Sequence, residues 1–126
     1  MPALGRTVST PDLTDIVLHK ATRALEVRFA DGSAFTLPAE FLRVHSPSAE
    51  VQGHGPGQAV LVQGKREVAI SALEPIGHYA VQITFSDGHD SGLFGFDYLH
   101  RLGRDRDALW QRYLDRLAAA GQSREP

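Results

Sequence analysis

Val81-Gln82-Ile83-Thr84-Phe85-Ser86-Asp87-Gly88 repeats, 56 positions on, the pattern of Leu25-Glu26-Val27-Arg28-Phe29-Ala30-Asp31-Gly32. Each copy alternates apolar and polar residues with the period of a half-buried strand and ends in Asp-Gly, the strongest short hairpin signal. Outward from each turn lies a second extended stretch and then a short apolar helix, around Phe41-Leu42-Arg43 in the first copy and Tyr98-Leu99-His100-Arg101 in the second. The residue after Asp-Gly differs between copies, Ser33 in one and His89 in the other.

Parity tests the first turn. With Gly32 left-handed in a one-residue bulge, Val27 faces Phe35 and Leu25 faces Leu37, so the large apolar groups share one face. A two-residue loop would set Phe35 against Arg28, and the bulged turn is therefore expected. A first strand over Asp15–Lys20 pairs through a turn at Ala21-Thr22 with the strand Arg23–Phe29. Pro38 suits a first helical turn, giving a helix through Ala39–His45 that Ser46-Pro47 stops. Ser46 to Gly64 reads as a long loop with a short strand at Ala59–Val62. The next strand begins at Val68-Ala69-Ile70, Glu74-Pro75-Ile76-Gly77 reads as a turn, and Tyr79–Phe85 leads into the second hairpin. A strand at Leu93-Phe94 runs into a helix over Asp97–Leu102 that Gly103 ends. After Asp105 or Asp107 as a cap, Leu109, Trp110, Tyr113, Leu114 and Leu117 form one stripe of a last amphipathic helix.

The expected fold is α+β: a mostly antiparallel sheet of five to seven strands, built as two pseudo-repeated hairpin–helix units, with a C-terminal amphipathic helix. Residues 1–12 and 121–126 read as loose tails around one domain over 13–120.

A chain of 126 residues buries a sufficient core without staples, and a net charge of −2 gives no footprint for nucleic acid or an anionic membrane. The absence of cysteine removes disulfides, thiolate nucleophiles and Cys-ligated zinc or iron–sulfur clusters. The N-terminal stretch lacks an apolar run of signal-peptide type, and no segment is apolar enough to span a bilayer, so a cytoplasmic protein is expected.

Four motifs invite chemistry. Gly53-His54-Gly55-Pro56-Gly57 with Gly64-Lys65-Arg66 fails the Walker pattern, because Arg66 follows the lysine and Pro56 removes an amide. Six histidines are present, and His45, His54 and His89 form the one trio in loops or element ends that the repeat could bring together on iron or zinc, with Glu50, Asp87 and Asp90 as oxygen ligands. Ser46, Ser48 and Ser91 lie near histidines, yet no nucleophile elbow exists and turn roles fit them better. On the last helix Asp105, Asp107 and Asp115 offset Arg106, Arg112 and Arg116 beside Trp110, which reads as a solvated face.

The segments Leu37–Gly55, Gly64-Lys65-Arg66, Gly77-His78-Tyr79-Ala80, Asp87–Phe94 and Trp110-x-x-Tyr113-Leu114 closely resemble the small bacterial DUF971 proteins, which are similar to the N-terminal domain of gamma-butyrobetaine hydroxylase. In that enzyme the corresponding domain holds a structural zinc through three cysteines and a histidine, while the iron- and 2-oxoglutarate-dependent chemistry belongs to another domain. The resemblance places the cysteine slots on Ser46, Ser48 and Val51 and the histidine slot on His89. It implies a zinc site that has lost three ligands, and no oxygenase activity. His89-Asp90 and His78-Tyr79-Ala80 also lack the oxygenase iron pattern. The same domain type resembles an appendage on some P-loop iron–sulfur carrier ATPases, which implies an accessory role in cluster assembly.

The expectation is thus a non-catalytic module that engages a protein partner, with no nucleic acid and no membrane, through Arg43, Ser46, Ser48, Glu50, His54, Asp87 and His89. The alternative is an iron- or zinc-binding protein using His89, His45 and His54; no other cofactor is expected.

Overall fold

Alternation and turn chemistry build two antiparallel sheets in the computed structural model, which describes residues 11–48, 51 and 60–126. The first sheet holds β1 (Leu13–His19), β2 (Ala24–Phe29) and β3 (Ala34–Pro38) in that order. Its register sets Val27 against Phe35 and Leu25 against Leu37, as parity requires. The Gly32 N–H donates to the Phe29 carbonyl (3.0 Å), the Phe29 N–H donates to the Ser33 carbonyl (2.9 Å), and Gly32 takes φ 90°. This is the bulged turn, with glycine where a side chain would be strained. Helix α1 (Ala39–Val44) follows, and His45 is its C-cap.

The second unit repeats the plan with β4 (Ile70–Ile76), β5 (Ala80–Phe85), β6 (Leu93–Gly95) and helix α2 (Phe96–Arg104), followed by α3 (Arg106–Ala120). The fold is α+β, with the six described strands divided into two three-stranded sheets. Leu25, Val27 and Leu37 from one sheet meet Val81, Ile83, Phe85 and Phe94 from the other, and Phe41, Leu42, Leu99 and Leu102 of α1 and α2 join them in one buried cluster. Each such side chain removed from water contributes roughly 1.5–3 kcal/mol.

Four local expectations change. Glu74-Pro75-Ile76 continues β4 instead of turning. β4 is one of the two edge strands of its sheet, where proline is tolerated because an N–H can face away from the neighbouring strand, and the turn moves to Gly77 at φ 56°. Gly103 does not end α2: the helix runs on to Arg104, and a Cβ at Gly103 would come within 2.3 Å of the Phe35 ring, so the glycine serves helix-to-sheet packing. Residues 60–62 form no strand; the Val62 carbonyl instead accepts a 2.7 Å hydrogen bond from Tyr113 Oη. Residues 121–126, read as a loose tail, lie along residues 64–66, where the amides of Gly64 and Arg66 donate to the carbonyls of Ser123 and Arg124 at 3.0 Å each.

Candidate functional site

The second Asp-Gly turn faces the exit of α1. Its backbone repeats the first turn: Gly88 has φ 91°, its N–H donates to the Phe85 carbonyl, and the Phe85 N–H donates to the His89 carbonyl, both at 2.9 Å. That geometry turns the imidazole inward. His89 Nε2 and Ser46 Oγ share a 2.9 Å hydrogen bond, with His89 only 7% exposed and Ser46 fully buried. The Ser48 N–H donates to Ser46 Oγ (3.2 Å), and Ser48 Oγ hydrogen-bonds Ser91 Oγ (2.7 Å). Gly92 closes the cluster from above, since a Cβ there would stand 2.3 Å from Ser46 Oγ.

A rim of charge surrounds this plug. Asp87 Oδ1 accepts the His89 N–H (3.1 Å), while Oδ2 accepts from Arg43 Nε (2.8 Å) and from Lys65 Nζ (2.6 Å). Burial pushes the Asp87 carboxyl up, but hydrogen bonds from Lys65, the His89 amide and Arg43 overrule it and hold it at about 2. Arg43 Nη1 is buried without a hydrogen-bond partner.

The sequence-derived residues therefore separate into groups. Ser46, Ser48, Asp87, His89 and Arg43 come together. His45 goes elsewhere: its Nδ1 hydrogen-bonds the Phe41 carbonyl (2.9 Å), its ring lies against Phe41 and Tyr113, and burial, aided by Arg116 and Arg112, lowers its pKa. Glu50 and His54 lie outside the described residues. Among the described residues no group of three or more His, Asp or Glu side chains is placed to hold a metal ion. Lys65 is a member of the rim that its motif did not reveal. Its signal was the pair of basic residues after Gly64, discounted once the Walker pattern failed.

The positions where the resemblance puts zinc ligands do converge in part, through Ser46, Ser48 and His89, with Val51 buried nearby in the chain and its N–H donating to the Ser48 carbonyl (2.9 Å). They do not fit zinc. Two neutral hydroxyls and an alkyl group stand where thiolates would be needed, and the one imidazole nitrogen directed at them already meets Ser46 Oγ. Nor is the cluster a hydrolytic triad, because Asp87 takes up the His89 backbone amide and two cations, and Ser46 is closed to substrate. What the arrangement does is tie the α1 exit to the second hairpin.

Comparison with known proteins shows a family and a fold. The family model for the gamma-butyrobetaine hydroxylase-like N-terminal domain matches residues 16–100. Two NMR solution structures are similar, with 52% and 49% identity, each over 94% of this chain and over 93% and 89% of theirs, both at TM-score 0.81. A crystal structure of a DUF971-family protein of unknown function from Acidithiobacillus ferrooxidans is 39% identical over 75% of this chain and 98% of that one, at TM-score 0.63. No curated protein matches.

Proposed function

The chain belongs to the gamma-butyrobetaine hydroxylase-like N-terminal family, and from that premise we propose that it is a non-catalytic binding module that engages a protein partner at the Arg43–Asp87–Lys65 rim. The observation that carries this reading is the charge balance there: among the described residues one carboxylate, Asp87, faces two cations. An acidic side chain of a partner, placed beside Arg43 and Lys65, would neutralise the excess charge. The rim side chains are 12%, 20% and 24% exposed for Arg43, Asp87 and Lys65, enough to be covered further without rebuilding the fold. Behind them Ser46, Ser48 and His89 brace the two loops rather than touch the partner.

The test is capture from native lysate with wild type, Arg43→Ala and Lys65→Glu, each checked for native fold, with metal content measured in the same preparations. The expected outcome is a protein retained by wild type and lost most completely with Lys65→Glu. Capture indifferent to both substitutions overturns the reading, and stoichiometric iron or zinc in every wild-type preparation replaces it with the metal-binding alternative. No helix among the described residues is long and apolar enough to cross a membrane.

A further inference from the structure

We propose that the cleft between the start of α1, the face of α3 bearing Trp110, and residues 64–66 is a recognition groove for an extended peptide with an arginine followed by an acidic residue, and that Ser123-Arg124-Glu125 occupies it in cis. This goes beyond the partner reading above and uses other contact groups.

The chain's own segment shows what the groove accepts. Arg124 places its fork on Glu40, with Nε to Oε2 at 2.8 Å and Nη2 to Oε1 at 2.7 Å, and its guanidinium carbon lies 5.1 Å from the Trp110 ring centroid. A two-point carboxylate and an aromatic face together select guanidinium over ammonium, because only a planar cation satisfies both. Two main-chain amides, of Gly64 and Arg66, read the carbonyls of Ser123 and Arg124 regardless of side chain. Arg66 then pairs with the Glu125 carboxylate, which selects an acid at the next position. Main-chain bonds combined with side-chain pockets are the way an extended peptide is bound along another strand of backbone.

The receiving side belongs to regular elements and to the segment that precedes β4. Glu40 lies in the first turn of α1 and is 6% exposed, so without a cation it would be a carboxylate held out of water. Trp110 projects from α3, where Tyr113, on the same helix, is buried and tied to the Val62 carbonyl. Burial, with Glu40 nearby, pushes the Tyr113 hydroxyl up to about 12. The tail stays partly open to solvent: Arg124 keeps 31% and Glu125 58% of its side chain exposed. It also leaves the groove partly empty. A cavity of about 360 Å³ remains beside Arg124, walled by Pro38, Phe41, Arg106, Asp107 and Trp110, which is room for a bulkier residue next to the arginine than this segment supplies. A cis segment that leaves the space beside its arginine unfilled can be displaced by one that fills it.

Trp110 is the single tryptophan of the chain, so its fluorescence reports on the groove directly. The probe is a capped peptide of residues 122–126, titrated into the full chain carrying Arg124→Ala. Saturable change in Trp110 emission is expected, together with binding to wild type at least about tenfold weaker, because the cis arginine competes at high effective concentration. The same peptide with alanine in place of its arginine should give no response. The proposal is overturned by a folded Arg124→Ala chain that does not respond, by equal binding of the alanine peptide, or by equal binding to wild type. Should Arg124→Ala fail to fold, Arg124→Lys keeps a cation opposite Glu40 but loses the fork, and the same three comparisons decide with that variant.

Discussion

The two Asp-Gly turns have nearly the same backbone, with φ 90° at Gly32 and 91° at Gly88, and nearly the same local bonds. In both, an aspartate oxygen accepts the N–H two residues on, Asp31 from Ser33 at 2.9 Å and Asp87 from His89 at 3.1 Å. Beyond that they part. Asp31 also accepts from Ser33 Oγ (2.6 Å) and stays exposed. Asp87 gathers Arg43 and Lys65, and the residue after its glycine reaches across to a buried serine. The turn itself is a backbone solution; tertiary bridging is added by two side chains on it. One copy can therefore carry a site while the other keeps only the sheet in register.

The largest effect should come from restoring thiolates where the second turn meets the α1 exit. The triple variant Ser46→Cys, Ser48→Cys, Val51→Cys would give His89 three sulfur partners, and a structural zinc of that donor set is worth about 10 kcal/mol or more of apparent binding. One tightly held zinc per chain is expected by elemental analysis, with a chelator-sensitive rise in melting temperature. A metal-free triple variant would mean the slots do not converge as Ser46, Ser48 and His89 indicate. Ser33→His at the first turn should gain no metal, because no matching serine pair is in contact there.

An intermediate effect should follow from making the turns alike. His89→Ser reproduces the first turn's sequence, keeps the backbone, and removes the imidazole from Ser46, whose buried hydroxyl keeps the Ser48 N–H. About 1–3 kcal/mol of stability should be lost, measured by urea unfolding. Amide exchange should speed up at Ser46 and Ser48 while β2 and β3 stay protected. Uniform exchange across both sheets would show that the bridge holds the whole domain and not one corner of it.

These contrasts also mark how much was legible in the sequence. Period-two alternation and Asp-Gly fixed the β2–β3 register, because both act within a few residues. Pro75 misled because whether proline is tolerated in a strand depends on that strand lying at an edge, and this is a property of the sheet. Gly103 misled because its reason is the Phe35 ring, far away in the chain. The His89–Ser46 convergence was readable from the repeat and the family resemblance, whereas the expected grouping of His45 with His89 does not form. His45 caps α1 and is drawn to the carbonyl one turn back, a local bond that decides its orientation before any distant ligand can. Lys65 was missed because no periodicity connects it to a turn 22 positions on. The tail was missed because a short polar terminus reads as loose until a buried Glu40 is known to need a cation.

The smallest effect should appear in acid. Hydrogen bonds from Ser33 lower the Asp31 carboxyl, and the cations and amide around Asp87 hold that group at about 2, below its ordinary 3.8. In this window the unfolded chain binds more protons than the folded one, so stability rises with pH. The contribution of Asp87 is complete above about pH 4 and is lost as pH falls toward 2. Because that carboxylate sits on a rim that solvent still reaches, screening reduces its worth to the order of 1 kcal/mol. Urea midpoints followed from about pH 6 down to pH 2 should fall in wild type, and Asp87→Asn should flatten the lower part of that curve. Asp31→Asn should flatten the curve less, since the hydrogen bonds that lower Asp31 come from Ser33 within its own turn and no Arg or Lys among the described residues is bonded to it. If Asp31→Asn flattens the curve as much as Asp87→Asn, the gathering of Arg43 and Lys65 adds nothing to the second turn beyond what the first already has.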